Sequence, residues 1–116
     1  MLVKSSVTNM IIEINNLSKV SFNVYNNYHW TKKKRFKDDL RALVSNSIKL
    51  SFKGGYTLDF VFYFKGRKLD RVNVFHYAKI IEDKLFEQDK DNGWVRVDTK
   101  KGKENKCILT LTKIEN

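Results

Sequence analysis

Between Tyr56 and Phe64 nearly every position is aromatic or β-branched, with an imperfect alternation of apolar and polar side chains. Successive strand residues point to opposite faces, so this run predicts a buried strand. Met10 to Ile14 is short and β-branched and predicts an earlier one. Asn15 to Asn27, rich in Asn and Ser, reads as an ordered loop. Thr31 is a candidate N-cap for a helix running through Lys33 to about Ile48. On that helix Phe36, Leu40, Leu43, Val44 and Ser47 share a face, and Lys33, Lys34, Lys37, Asp38 and Arg41 lie elsewhere. Gly54-Gly55 breaks the chain ahead of the aromatic strand. After it comes a basic loop, Lys65 to Asp70, and then a second helix from Val74 to Phe86. Its apolar stripe is Val74, Tyr77, Ala78, Ile81 and Leu85, with His76, Lys79, Glu82 and Asp83 outside it. Asp89 to Gly93 reads as a turn. Trp94 to Asp98 and Lys106 to Lys113 read as two strands joined by a hairpin at Lys100-Lys101-Gly102-Lys103. The order β-α-β-α-β-β predicts an α+β fold: a single mixed β-sheet with two helices, in one domain spanning residues 1–116.

Composition fits one folded domain. The chain has 116 residues, of which 41% are hydrophobic, enough for one modest core. Its 23 Lys and Arg against 13 Asp and Glu give a net charge of +10. That charge predicts attraction to polyanions, with nucleic acid as the leading partner. An anionic membrane surface, an acidic protein or a merely solvated basic face would carry the same charge. A single cysteine, Cys107, excludes an intrachain disulfide and a four-cysteine zinc site. Its apolar neighbours place it in a buried strand. No apolar stretch approaches the roughly 20 residues of a membrane span. Met1 to Ser6 lacks the core of a signal peptide, so a cytoplasmic location is expected.

The candidate chemistry lies between Tyr63 and Asp91. Asp70 follows the aromatic strand and precedes a helix, where it is either a hard oxygen ligand for Mg²⁺ or Mn²⁺ or a carboxylate favoured by the helix dipole. Asn73 is a neutral oxygen ligand or the N-cap of the second helix. The helix rises about 1.5 Å per residue, so its far end lies roughly 20 Å from Asp70. Five extended residues return about 17 Å, which keeps Asp91 within reach and Asp89 less so. The same arithmetic separates Asp83 from Asp70 by about 15 Å or more. His76 and Lys79, near the start of the helix, could contact a phosphate or steady developing charge. Either could equally belong to a solvated face. No nucleophile triad, Walker loop or dinucleotide fingerprint is present. Lys32, Lys33, Lys34 and Arg35 adjoin Tyr25, Tyr28, His29 and Trp30, a mixture of cations and aromatics suited to nucleic acid.

Three blocks, taken in order, give the chain a family likeness. Ser21-Phe22-Asn23 is followed by Tyr28-His29-Trp30 and the basic run. Phe64 to Asn73 contains Asp70-Arg71-Val72-Asn73. Lys79-Ile80-Ile81-Glu82-Asp83-Lys84-Leu85 is followed by Asp91. Together they resemble the RusA-type Holliday-junction resolvases, in particular divergent phage-like members, across residues 21–98. The resemblance implies a homodimer that binds branched DNA and cleaves it by Mg²⁺-dependent phosphodiester hydrolysis, with Mn²⁺ as a possible substitute. It matches Asp70 to the first catalytic aspartate, Asn73 to the following asparagine and Asp91 to the last catalytic aspartate. Asp89 would be an auxiliary ligand, and the family's helical lysine falls on His76 or Lys79 depending on the direction of counting. Arg67, Lys68, Arg71 and Lys32 to Arg35 would track DNA backbones. Val72 occupies the place of the second aspartate, so a catalytically impaired DNA-binding module, or an RNA-binding or RNA-cleaving protein, stands as the alternative.

Overall fold

The computed structural model describes residues 9–114, so the Met1 to Ser6 stretch lies outside the described residues. Strands β1 (Asn9–Ile14), β2 (Tyr56–Lys65), β3 (Val95–Gly102) and β4 (Lys106–Lys113) form one mixed sheet in the order β1-β4-β2-β3. β4 runs antiparallel to both β1 and β2, whereas β3 runs parallel to β2. The alternation blurred in the sequence of β2 is strict in the fold. Leu58, Phe60, Phe62 and Phe64 are fully buried, and Thr57, Asp59, Val61 and Tyr63 between them are half-buried on the other face.

The expected hairpin between the last two strands does not form. β3 continues through Gly102, the reversal falls at residues 103–105, and β2 lies between β3 and β4. The reason is the apolar density of β2, which is better buried with a neighbour on each side. Phe60 sits across from Val97 on one side and Leu109 on the other; Phe62 sits across from Thr99 and Cys107. Asn105 fastens this crossing to the end of β2 by accepting the Lys65 N–H at 2.8 Å. A parallel β2–β3 pair needs a crossover, and the second long helix supplies it.

Three helices cover the buried face: α1 (Phe22–Asn26), α2 (Trp30–Ser47) and α3 (Phe75–Leu85). α1 lies inside the segment expected to be a loop, where the Ser21 hydroxyl caps it by accepting the Val24 N–H at 3.2 Å. α2 begins earlier than expected, with His29 rather than Thr31 at the N-cap and its ring nitrogen accepting from the Thr31 N–H. Phe36, Leu40 and Val44 are buried and Leu43 partly so, but Ser47 is exposed and returns its hydroxyl to the Leu43 carbonyl at 2.8 Å. Ahead of α3, Arg71–Asn73 make a 3-10 turn, and Val74 occupies the N-cap without a side-chain cap. Asn73 therefore does not cap the helix.

The predicted stripe of α3 is buried in full, together with His76 and Ile80. α3 packs against the sheet on one side, with the rings of Tyr77 and Phe62 5.4 Å apart, and against α2 on the other. A helix held between two layers buries more than one stripe. Cys107 is buried in β4 as expected. No helix of the described residues is long and apolar enough to cross a membrane.

Candidate functional site

The segment that precedes α1 is clamped onto α3. The Tyr77 hydroxyl donates to the Ser18 carbonyl and accepts the Val20 N–H at 2.8 Å, while His76 Nε2 donates to the Val20 carbonyl at 2.8 Å. Burial pushes the Tyr77 phenol up to about 12, so it stays a donor. The clamp brings two of the three sequence blocks together. The Asn23 N–H points at Asn73 Oδ1, 3.4 Å away, and Lys19 Nζ donates to the Lys65 carbonyl at 3.2 Å. Between them lies a cleft of about 240 Å³ lined by Lys19, Arg67, Lys68, Leu69, Asp70 and Asn73. Asp70 stands exposed at the start of the Arg71–Asn73 turn and makes no capping hydrogen bond with its side chain.

Neither Asp89 nor Asp91 lines that cleft. The two belong to a 3-10 turn, Asp89–Asp91, that is fastened near the start of β2, whereas Asp70 follows the strand's other end. Gln88 N–H donates to the Lys53 carbonyl at 2.7 Å, Tyr56 N–H donates to Asn92 Oδ1 at 3.0 Å, and Asn92 Nδ2 donates to Glu82 at 2.9 Å. Five residues had the reach to return towards Asp70, but these bonds set their direction. Gly54 makes the docking possible. Its φ is +147°, and a Cβ there would collide with the Gln88 carbonyl.

Asp89 is engaged by Lys79, whose Nζ lies 3.2 Å from Asp89 Oδ2 and 3.3 Å from Asp83 Oδ1. The Lys79 hydrogen bond holds the Asp89 carboxyl below its usual range, and Asp89, then Asp83, push the Lys79 ammonium up. Among the described residues no group of three or more His, Cys, Asp or Glu side chains is placed to hold a metal ion. The Asp70 cleft offers one carboxylate and one amide oxygen, and Mg²⁺ is commonly held by one or two carboxylates with water and substrate phosphate completing its octahedron. Asp70 and Asn73 thus share a cleft that Asp89 and Asp91 do not line, so the expected four are not gathered around one point, and Asp70 with the Asn73 amide oxygen would be the residues to hold Mg²⁺ there.

His76 departs most from expectation. It is 6% exposed, with its ring packed against those of Tyr25 at 5.0 Å and Phe36 at 5.5 Å, which also touch each other. Burial lowers its pKa from 6.5 to about 4, against the opposing pull of the Val20 carbonyl. With Nε2 donating to that carbonyl, Nδ1 is buried without a partner. His76 is therefore a neutral core residue at pH 7 and presents no cation to a phosphate. The helical stripe missed it because His76 pairs with Ile80, one turn later, on the face turned towards α1 and α2.

The basic residues are better placed for binding. α1 packs against the Arg71–Asn73 turn and leads within a few residues into α2, and Arg67 and Lys68 line the Asp70 cleft with Asn73. Lys32 Nζ lies 4.4 Å above the Tyr28 ring, and Lys33 lies 5.6 Å from that of Tyr25. Lys34 is tied to Asp38 at 2.8 Å, and Arg41 shares that carboxylate. Arg35, Arg67 and Lys68 are exposed and make no ion pair with any described residue, and Trp30 at the start of α2 is 67% exposed. Arg71 faces a second cleft, of about 470 Å³, with Phe75, Trp94, Val95, Arg96 and Val97. Sequence reasoning passed over this grouping, whose visible signal was a tryptophan and an arginine two residues apart after a turn. No protein-family model matches the chain, and no curated protein matches it.

Proposed function

We propose that the protein is a RusA-like DNA-binding domain that holds the backbones of branched DNA, with a homodimer as its working form. The observation that carries this is a set of exposed cations without an ion-pair partner among the described residues, Arg67 and Lys68 at the Asp70 cleft and Arg35 on α2, together with the exposed Trp30 that opens α2. Cations without carboxylate partners release counterions on binding phosphate, and exposed aromatics take up bases where strands separate. Measuring affinity for a four-way junction, a duplex and single-stranded RNA over a range of salt tests it. The junction is expected to bind tightest, with affinity falling steeply as salt rises, and each cation removed is expected to lower the salt slope by about 1. Equal affinity for all three ligands would remove the branched-DNA claim, and preference for RNA would assign the surface to RNA.

The second reading is Mg²⁺-dependent cleavage of the junction. It is favoured by the meeting of the Ser21–Asn23 and Asp70–Asn73 segments, two blocks that carry the resemblance. It requires Asp91 to join Asp70 when DNA binds. Incubation with a junction and Mg²⁺ or Mn²⁺, with EDTA as control, separates the readings. Cleavage abolished by Asp70→Asn establishes the nuclease; junction binding that survives Asp70→Asn, without cleavage by the parent, establishes the binding module.

A further inference from the structure

The largest cleft bordering the Arg71–Asn73 turn is not the one at Asp70. Phe75, from the first turn of α3, and Trp94, just before β3, line a cleft of about 470 Å³ together with Val95, Val97, Arg71 and Arg96. Phe75 and Trp94 are 51% and 56% exposed, and Val95 in the same cleft is also exposed. Exposed apolar side chains that share one cleft, rimmed by charge, mark a site where something binds. Neither arginine makes an ion pair with a described residue. The cleft therefore offers flat apolar faces and two unspent guanidinium groups together.

We propose that this cleft binds a single unpaired nucleotide, with its base against Trp94 and Phe75 and its phosphate on Arg71 and Arg96. The volume lies within the roughly 300–1,000 Å³ of small-molecule sites. Aromatic faces bind bases of any sequence by stacking, and a guanidinium fork matches phosphate oxygens. In a duplex those base faces are already stacked on their neighbours, so only an unpaired nucleotide can enter. An apolar peptide would satisfy the aromatics and leave the arginines unused; an anionic, flat ligand uses both. The proposal rests on the DNA-binding reading and adds a role to it: capture of a nucleotide freed where strands diverge.

Trp30 and Trp94 are the two tryptophans of the chain, so in a Trp30→Phe background the emission reports Trp94 alone. Every comparison is made in that background, with affinities read from the anisotropy of a dye-labelled oligothymidylate strand and of a labelled, fully paired duplex of equal length at one salt concentration, and Trp94 emission followed in parallel where Trp94 is present. The expected result is saturable quenching by oligothymidylate. Trp94→Ala is expected to weaken that binding about tenfold or more, with Trp94→Phe retaining most of it and duplex affinity changing less than about twofold. Arg71→Gln with Arg96→Gln is expected to weaken oligothymidylate binding more than duplex binding. Because Trp94 is half exposed, its truncation leaves the core intact, which circular dichroism checks. Equal losses on both ligands, or binding without quenching, would overturn the nucleotide site while leaving the DNA-binding reading standing. Failure of the parent protein to bind any nucleic acid would overturn both. A dimer seen by sedimentation that Trp94→Ala dissociates, with oligothymidylate affinity unchanged, would assign the cleft to a second copy and overturn the proposal.

Discussion

His76 makes the stability of this protein depend on pH in a calculable way. In the folded state its pKa is depressed from 6.5 to about 4 by burial among Tyr25, Phe36 and Tyr77. As pH falls, the unfolded chain takes up the proton first, and the folded protein takes it only near 4. The stability associated with neutral His76 is therefore fully present above pH 6.5 and is lost as pH falls through the folded pKa. At about 1.4 kcal/mol per pKa unit the full effect is about 3 kcal/mol, of which about 2 kcal/mol lies between pH 7 and about pH 4.5. Urea unfolding of the parent and of His76→Phe at both pH values isolates it, because the carboxylates that titrate in this range are common to both proteins. The variant loses the hydrogen bond to the Val20 carbonyl and starts less stable by about 1–3 kcal/mol. It is nevertheless expected to lose about 2 kcal/mol less than the parent on acidification. Identical pH dependence in the two proteins, or an NMR titration placing His76 near 6.5, would show that the histidine is solvated and the clamp on residues 18–20 is open.

Two other substitutions test the fold. Gly54→Ala forces a Cβ into the Gln88 carbonyl at a positive φ, and a loss of more than about 1 kcal/mol is expected in denaturant unfolding. A neutral effect would mean that the Asp89–Asp91 turn docks elsewhere. Cys107 is buried, and its thiol is pushed up by desolvation, so a thiol reagent is expected to react only as fast as the protein unfolds. Rapid labelling in native buffer would contradict the central place of β4.

Much of the framework was legible in the sequence because it depends on local period and composition. The aromatic run of β2, β1 to within one residue, the full length of β4 and the stripe of α3 all lie where alternation or helical spacing puts them. Where the reading slipped, the deciding interaction was remote in sequence. Ser21 and the residues after it look like loop until Tyr77 and His76, some 56–59 positions further on, fix the backbone before α1. His76 looks solvent-facing until α1 and α2 cover a second side of α3. The pairing of β3 and β4 looked local because only three residues separate them, yet β2 offers both strands a richer apolar partner.

The candidate site divides in the same way. By itself the sequence determined that this is a basic chain with a cation-rich loop at residues 65–71 and aromatics beside the Lys32 to Arg35 run, because charge and composition do not depend on how the chain folds. Only the tertiary structure decided which of these meet. It placed the Ser21–Asn23 segment against Asn73, fastened the turn bearing Asp89 and Asp91 to the start of β2, gave Lys79 two carboxylate partners and left Phe75 and Trp94 facing one another's cleft with two free arginines. Chain length sets how far a loop can reach, but the hydrogen bonds at its far end set where it goes.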